Sequence, residues 1–305
     1  MIHGGGHILL SRKDIRPPQT QTLLNAGFLP ISIDYRLCPE ISLLDGPMHD
    51  ACKALRWIRQ SLSNLPLCRS DIRPDSSRVV AVGWSSGGHL AMTLAWTAPA
   101  IGIQPPEAIL AFYCATDYED PFWYKPNFPF GSESMMDEIE YNVDQGMYDK
   151  PITAYNPSRV ERAKGGWMAP SDPRSLIALH MNWKGLTLPF LLRKWKHRMG
   201  TSERSGEPAH PTEDEVKAAS PLAQIRDGHY KSPTFLIHGT LDDLIPHEQS
   251  MRTYRELLAK GIEAEIRVLE GEVHLFDIYP GYSKNLKALK TVDDGYRFLQ
   301  KYAQS

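Results

Sequence analysis

Long apolar runs, a strong net charge and paired cysteines are all absent from this 305-residue sequence, and each absence narrows its class. No stretch approaches 18 consecutive apolar residues, so the sequence predicts no bilayer-spanning segment. The first residues also lack the basic start and apolar run of a secretory signal. With a net charge of only −2, neither nucleic acid nor an anionic membrane surface is an expected partner.

The chain has four cysteines, and none of them is spaced as a CxxC pair or as a set of metal ligands: Cys38, Cys52, Cys68 and Cys114. Small disulfide scaffolds are shorter and much denser in cysteine than this chain. We therefore expect reduced, mostly buried thiols in a cytoplasmic protein, and no metal site.

Hydrophobic residues make up 42% of the sequence and aromatic residues 10%, which is sufficient for a substantial core. Strand-like and helix-like patterns alternate at both ends of the chain, which predicts a mostly parallel α/β sheet with helices on both faces. The predicted strands cover residues 28–35, 78–82, 108–113, 234–237 and 264–269, and the predicted helices cover residues 47–61, 89–98, 248–260 and 286–303.

The alternation breaks down between residues 119 and 221. Residues 121–130 are too rich in proline for regular structure, and residues 174–198 are apolar and helical in pattern. Residues 200–215 are polar and typical of an exposed loop.

This change of pattern predicts two parts. A core comprises residues 1–118 and 222–305, and a cap comprises residues 119–221 inserted between them. Aromatic side chains of the cap are suited to the wall of an apolar acyl pocket, although each of them also fits a place inside the cap: Trp123, Tyr124, Phe128, Trp167 and Trp183.

Residues 83–87 read Gly-Trp-Ser-Ser-Gly and directly follow the predicted strand at 78–82. A GxSxG sequence between a strand and a helix is typical of a sharp turn that exposes a nucleophilic serine, and its glycines leave room for that turn. Ser85 is therefore the predicted nucleophile, with Ser86 as the local alternative. The motif alone also fits a tight strand-to-helix turn without a catalytic role.

A second glycine-rich segment, at residues 3–7, reads His-Gly-Gly-Gly-His. A loop of this kind presents backbone N–H groups that can meet an oxyanion beside a nucleophilic serine. A nucleophile and an oxyanion hole are useful only together, so the presence of both segments indicates acyl transfer.

A serine hydroxyl needs a base to take its proton and an acid to orient that base. Asp242 and Asp243 follow the predicted strand at 234–237, and His274 follows the one at 264–269. These positions are carboxyl ends of parallel strands, where α/β proteins build their sites. Singly, such residues are more typical of a turn, a helix cap or a structural histidine. Their order after Ser85 favours His274 as the base and one of the two aspartates as the acid.

Five motifs occur in the order found in α/β-hydrolases of the hormone-sensitive-lipase-like esterase group, which the chain resembles over nearly its whole length. They are HGGG, DYRLCPE at 34–40, GWSSGG at 83–88, HGTLDDLIP at 238–246 and GEVHLF at 271–276. The resemblance implies an α/β-hydrolase fold with Ser85 as nucleophile and His274 as base. It also selects Asp242 as the acid, because the family's acid lies four residues after the histidine that opens its motif.

The same resemblance implies an oxyanion hole formed by Gly5, Gly6 and the N–H of Ser86. It implies that neither a metal nor an organic cofactor is required. Asp34 and Arg36 match motif positions that are structural in the group and support the HGGG loop.

The chain departs from this group at its start. In the group two or three strands precede HGGG, whereas only Met1 and Ile2 stand before His3 here. We therefore expect the N-terminal strands of the fold to be missing and the sheet to have a gap beside the predicted strand at 28–35. Unpaired backbone groups at such a gap cost about 1–3 kcal/mol each where they are buried. The chain is expected to be either a segment of a longer polypeptide or a truncated relative of lower stability.

Residues 36–40 and 83–92 are also similar to C-terminal thioesterase domains of fungal non-reducing polyketide synthases. This resemblance implies release of an aromatic polyketide from a thioester on an acyl carrier protein. The basic stretch at 193–198 is suited to a phosphopantetheine phosphate or an acidic carrier, although such a run is more often a solvated helix face. Two alternatives stay open, a general carboxylesterase acting on small esters and a remnant without turnover.

Overall fold

A parallel sheet of four strands, paired in chain order, forms the centre of the described part of the chain. The strands are β1 (Ala81–Trp84), β2 (Ile109–Phe112), β3 (Thr234–Gly239) and β4 (Ala264–Leu269). The computed structural model describes residues 1–65, 73–144, 173–192 and 209–304. The parallel order agrees with the sequence prediction, although β1 begins three residues later than predicted.

Ten α-helices accompany these strands within the described residues. They are α1 (Pro17–Asn25), α2 (His49–Ser61), α3 (Ser86–Ala100), α4 (Met136–Asp144), α5 (Pro173–Trp183), α6 (Thr187–Leu192), α7 (Glu213–Ala219), α8 (Pro221–Arg226), α9 (His247–Ala259) and α10 (Leu286–Gln304). The predictions of α2, α3, α9 and α10 are confirmed to within a few residues at each end.

The two faces of the sheet are covered by different helices. Successive residues of a strand point to opposite faces, so Ala111 and Leu236 pack with residues of α2, α3 and α9. Leu110 and Ile237 pack with residues of α10 on the other face. All four of these residues of β2 and β3 are buried. Burial on both faces explains why the residues around them form short apolar runs and do not alternate between apolar and polar.

The predicted strand at 28–35 is wrong. Within this segment only Ile33 forms a bridge, and its partner is Ile2, which also bridges Gly83 of β1. The Ile2 N–H donates to Val82 O (2.9 Å), and the Ile33 N–H donates to Met1 O (3.3 Å). A strand forms only when a partner strand pairs with it along its length. Here Met1 and Ile2 provide only two residues of such a partner strand.

The predicted gap in the sheet is thus closed at one end. Met1 and Ile2 fill it next to the carboxyl end of β1, and a groove of about 680 Å³ continues beyond them. Apolar side chains from both sides of the gap line this groove, including Leu23, Phe28 and Val80.

Two predictions within residues 119–221 need correction. The polar stretch at 200–215 does not stay a loop to its end, because α7 begins at Glu213. Thr212 and Glu215 form a capping box that starts this helix. The proline-rich stretch at 121–130 does contain regular structure, because 3-10 helices cover Pro121–Tyr124 and Pro129–Met135. The helical pattern at 174–198 is confirmed in the described residues by two helices, α5 and α6, separated by a turn in which Gly185 has a φ of +65°. Residues 193–198 lie outside the described residues.

The described parts of the 119–221 segment contact loops at the carboxyl edge of the sheet. The Phe130 N–H donates to Asp243 Oδ2 (2.7 Å), and the Leu43 N–H donates to Leu191 O (2.7 Å). The division into core and inserted cap stays a prediction, because residues 145–172 and 193–208 are not described.

Three of the four cysteines lie in the described part of the chain. Cys38, Cys52 and Cys114 are buried free thiols, and burial raises the pKa of Cys114 to about 12. Cys68 lies outside the described residues. None of the helices described here is both long enough and apolar enough to cross a membrane.

Candidate active site

The predicted nucleophile occupies the turn between β1 and α3. Ser85 has a φ of +54° and a ψ of −126°, an uncommon conformation for a residue with a side chain. Gly87 makes this turn possible, because a Cβ there would lie 2.1 Å from Ile2 O. The strained turn therefore also packs the backbone of α3 directly against the backbone that leads into the HGGG loop.

Ser85, His274 and Asp242 form a continuous chain of hydrogen bonds. Ser85 Oγ lies 3.0 Å from His274 Nε2, and His274 Nδ1 lies 2.6 Å from Asp242 Oδ2. Since an ionised carboxylate only accepts, the proton between them belongs to Nδ1, which leaves the Nε2 lone pair facing the Ser85 hydroxyl. Ser85 and His274 are 4% and 1% exposed, so the contact lies in a largely dry environment.

The Asp242 carboxylate is held by more groups than the imidazole alone. Its Oδ1 accepts from the N–H groups of Leu244 (3.0 Å) and Ile245 (2.8 Å). Burial alone would raise the pKa of Asp242, but His274 and His238 together hold that pKa well below its ordinary value. The carboxylate therefore stays ionised across the physiological pH range.

His238 is a site residue that the sequence analysis used only as a motif marker. Its Nε2 lies 3.0 Å from both Asp242 Oδ2 and Ile245 O, and its Nδ1 lies 2.7 Å from Ser250 Oγ. The ring is fully buried at the end of β3. Its position at the head of the HGTLDD sequence, four residues before Asp242, was the available signal for this role.

The two alternatives left open by the residues have different surroundings. Asp243 Oδ2 accepts from the Phe130 N–H (2.7 Å), and Asp242 is the aspartate that reaches the imidazole. Ser86 is the first residue of α3, and the imidazole is bonded to Ser85. The geometry therefore brings together the set Ser85, His274 and Asp242.

The HGGG loop lies against the serine turn. Gly5 has a φ of +103°, and a Cβ there would lie 2.2 Å from Leu9 O, so the loop tolerates no side chain at this position. Gly5, Gly6 and Ser86 line the same cavity as Ser85 and His274. Because Ser86 is the first residue of a helix, its N–H has no acceptor within that helix and carries part of the helix dipole.

Tyr35 holds this loop, and the sequence analysis did not single it out. Its hydroxyl donates to His3 O (3.0 Å) and lies 3.2 Å from Gly4 O, while its ring stacks on the His3 imidazole at 4.3 Å. Asp34 accepts from the Arg12 N–H (2.7 Å) and so ties down the segment after the loop.

Arg36 has a different role from the predicted support of the HGGG loop. Its guanidinium binds the Asp50 carboxylate (2.8 Å) and donates to Asp45 O (2.9 Å). These contacts fix the start of α2 rather than the loop.

A cavity of about 90 Å³ opens at Ser85. Most of its lining is apolar. Of the aromatic residues predicted to line an acyl pocket, Trp123 is the one among the described residues that does so. Tyr124 is 43% exposed, whereas Phe128 and Trp183 pack with a separate cluster around Ile139. Trp167 lies outside the described residues. Phe130, which was not predicted, lines the cavity and approaches His274 with ring centres 6.1 Å apart.

Comparison with known families gives two matches. Residues 1–156 match the family described as alpha/beta hydrolase fold. Residues 191–305 match the prolyl oligopeptidase family.

Several curated relatives are fungal non-reducing polyketide synthases. The synthase adrD of Penicillium rubens is 60% identical over 309 residues, and mapC of Penicillium brevicompactum is 58% identical over 305 residues. The synthase ausA of Penicillium brasilianum is 57% identical over 307 residues. The matches cover 99–100% of this chain but only 12% of each relative's own length.

Solved structures of esterases share the fold. Carboxyl esterase 2 of Tuber melanosporum is 19% identical with a TM-score of 0.59, over 99% of this chain and 76% of its own. The butyrate-bound esterase Est2 of Thermogutta terrifontis is 23% identical with a TM-score of 0.55, over 98% of this chain and 81% of its own. At these identities the likeness concerns the fold alone.

Proposed function

The chain belongs to the alpha/beta hydrolase fold family, and we propose that it is a serine hydrolase that cleaves an acyl ester or thioester with Ser85, His274 and Asp242. One observation carries this proposal, the hydrogen-bond chain of 3.0 Å and 2.6 Å that joins these three side chains. In this arrangement Nδ1 faces the Asp242 carboxylate and Nε2 faces the Ser85 hydroxyl, which is the orientation that a general base requires.

The proposed reaction begins when Ser85 Oγ attacks the acyl carbonyl carbon and its proton passes to His274 Nε2. The buried Asp242 carboxylate stabilises the imidazolium, and the N–H groups of Gly5, Gly6 and Ser86 donate to the oxyanion. His274 then gives the proton to the departing thiolate or alkoxide, which leaves the acyl group on Ser85. A water molecule then attacks the acyl carbon while its proton passes to His274 Nε2. The bond between the acyl carbon and Ser85 Oγ breaks, His274 returns the proton to Ser85 Oγ, and the acid leaves.

For the acyl group we propose an aromatic polyketide carried as a thioester on an acyl carrier protein. The identity of 57–60% with three non-reducing polyketide synthases supports this substrate class. The chain spans about 12% of the length of those relatives, so the substrate and the carrier partner are proposals for this chain.

The size of the cavity favours a second candidate, a carboxylesterase acting on small esters. Its volume of about 90 Å³ is smaller than the ~150 Å³ of an apolar cavity that accepts benzene. A short acyl group fits this space without any movement of the side chains around it, whereas an aromatic ring requires such movement or a partly exposed position.

Labelling with a fluorophosphonate tests the nucleophile. The wild-type protein should be labelled on Ser85, and Ser85→Ala should abolish both labelling and turnover while its melting temperature stays close to that of the wild type. Ser86→Ala serves as the neighbouring control and should keep its label. Labelling that persists in Ser85→Ala would assign the nucleophile elsewhere, and a wild-type protein that takes no label would be a remnant without turnover.

A comparison of substrates separates the two candidate functions. Specificity is measured as the ratio of the kcat/KM values for two substrates. If the polyketide function is right, aromatic acyl thioesters on a carrier protein should have a higher kcat/KM than short p-nitrophenyl esters. If the basic stretch at 193–198 meets the carrier, charge reversal at Arg193 and Lys196 should slow only the carrier-bound substrate. Faster cleavage of short esters with no effect of charge reversal would favour the general carboxylesterase.

A further inference from the structure

A buried polar cluster lies next to the His274 imidazole, outside the set of three residues that the proposed mechanism uses. Arg16 Nε donates to Asp277 Oδ2 (3.2 Å), and Arg16 Nη2 donates to the Tyr113 hydroxyl (3.3 Å). The Tyr113 hydroxyl in turn donates to Asp277 Oδ1 (2.5 Å), and Gln19 Nε2 donates to Asp277 Oδ2 (2.7 Å). The side chains of Arg16 and Asp277 are 5% and 0% exposed.

Stability alone is a poor reason for such a cluster. Removing two charges from water costs several kcal/mol per ion, and buried ion pairs are on average no more stabilising than apolar residues of the same size. The positions of the members suggest a different purpose. Arg16 follows the HGGG loop, Tyr113 follows β2, and Asp277 lies three residues after His274.

Tyr113 connects this cluster to the imidazole. Its ring meets His274 edge-on with ring centres 4.7 Å apart, and Phe276 packs against it at 5.7 Å. Burial and the Asp277 carboxylate raise the pKa of the Tyr113 hydroxyl well above its ordinary value, so the hydroxyl keeps its proton and remains a donor. The backbone of Tyr113 has a φ of +36°, a strained conformation that only well-fixed surroundings maintain.

The cluster also reaches the residue that precedes the nucleophile. Trp84 Nε1 donates to Gln19 Oε1 (3.2 Å), and the Arg16 guanidinium lies over the Trp84 ring at 5.1 Å. The same group of side chains thus contacts the strand that carries Ser85 and the loop that carries His274.

We propose that Tyr113, held by Arg16 and Asp277, is a positioning residue that keeps the His274 imidazole directed at Ser85. This inference rests on the proposed serine hydrolase function, in which proton transfer between Ser85 and His274 depends on their separation. The hydroxyl of Tyr113 fixes its ring, and the ring, 4.7 Å from the imidazole, fixes the plane of the imidazole.

Three variants test the proposal with a short-chain p-nitrophenyl ester and with the rate of fluorophosphonate labelling. Tyr113→Phe keeps the ring but loses its anchor, and Asp277→Asn keeps the shape of the anchor but loses its charge. Each should lower kcat and the labelling rate about 10-fold with KM within about twofold, and Tyr113→Leu should lower them about 100-fold, because misplacement by 1 Å costs on that order.

Matched controls come from the opposite end of the sheet. Tyr230→Phe removes a buried hydroxyl bonded to Thr234, and Glu107→Gln removes the charge of a largely buried carboxylate bonded to Arg59. Both controls should lower the melting temperature about as much as the test variants do, without changing kcat or the labelling rate.

Three outcomes decide the matter. If Tyr113→Phe and Asp277→Asn are labelled at the wild-type rate, or if they lose no more kcat than their controls, the cluster is structural and the proposal is wrong. If the wild-type Ser85 itself takes no label, the serine hydrolase function fails instead. Should Tyr113→Leu not fold, the conservative Tyr113→Phe variant still decides between the positioning and structural roles.

Discussion

Asp242 and Asp243 are adjacent carboxylates with different partners, so they provide a test at the scale of single residues. Asp242→Asn should lower turnover by up to about 10⁴-fold, because a neutral amide no longer selects the imidazole tautomer with its proton on Nδ1. The protein should remain folded, since Asn can still accept from the N–H groups of Leu244 and Ile245. The measurement is kcat/KM on a short ester, together with a melting curve.

Asp243→Asn is the matched control for this prediction. An amide oxygen at this position still accepts from the Phe130 N–H, so turnover should change by less than about threefold. If the loss of turnover instead follows Asp243 at unchanged stability, Asp242 is not the acid.

The sequence could predict which residue types meet in the site but not all of their supports. Ser85, His274 and Asp242 each follow a predicted strand in a recognisable order, and parallel strands bring their carboxyl ends together. Tyr35 and Tyr113 act through contacts with residues more than thirty positions away along the chain. Such contacts leave no local periodicity or spacing, so only the folded chain reveals them.

The turn between β1 and α3 and the HGGG loop form one unit at the scale of elements, and Gly87 is where they touch. A Cβ at Gly87 would lie 2.1 Å from Ile2 O and 2.4 Å from His3 O, and neither atom can move without displacing the loop. Gly87→Ala should therefore lower turnover about 100-fold or more. It should also lower the free energy of unfolding by about 1–3 kcal/mol.

Gly295→Ala in α10 is the appropriate control for Gly87→Ala. Its Cβ would meet the end of the Leu110 side chain at 2.7 Å, and a flexible side chain can give way where a backbone carbonyl cannot. The control should retain nearly full turnover, measured on the same ester as Gly87→Ala. Equal turnover in both variants would mean that the loop and the turn are not coupled through Gly87.

Element predictions succeeded where the local pattern carried all the information. The apolar runs of β2 and β3, the alternation of apolar and charged residues in β4 and the helical spacing of α9 and α10 are properties of the segments themselves. The segment at 28–35 has the composition of a strand, but a strand forms only against a partner, and Met1 and Ile2 reach only its far end. The start of α7 was missed even though its capping box, Thr212 and Glu215, is visible in the sequence.

The groove beside β1 concerns the stability of the whole molecule. It has a volume of about 680 Å³ and apolar side chains on both sides. It begins at Met1, whose neighbour Ile2 bridges Ile33 and Gly83. The Met1 nitrogen donates to Ile31 O (2.8 Å) beside this groove.

A strand fused ahead of Met1 should therefore raise stability and turnover together. The fusion partner is the segment of about 60 residues, roughly a few strands with their connections, that precedes the matching region of the Penicillium rubens relative. Backbone pairing and apolar contact in the groove should raise the free energy of unfolding by about 2–4 kcal/mol. Turnover should rise because the strand would lead directly into the HGGG loop.

The control is the same fusion with two prolines in its last strand, which removes the N–H donors needed for pairing. Equal melting temperatures and equal kcat/KM for the fused and unfused proteins would show that Met1 and Ile2 already provide all the support that the loop requires.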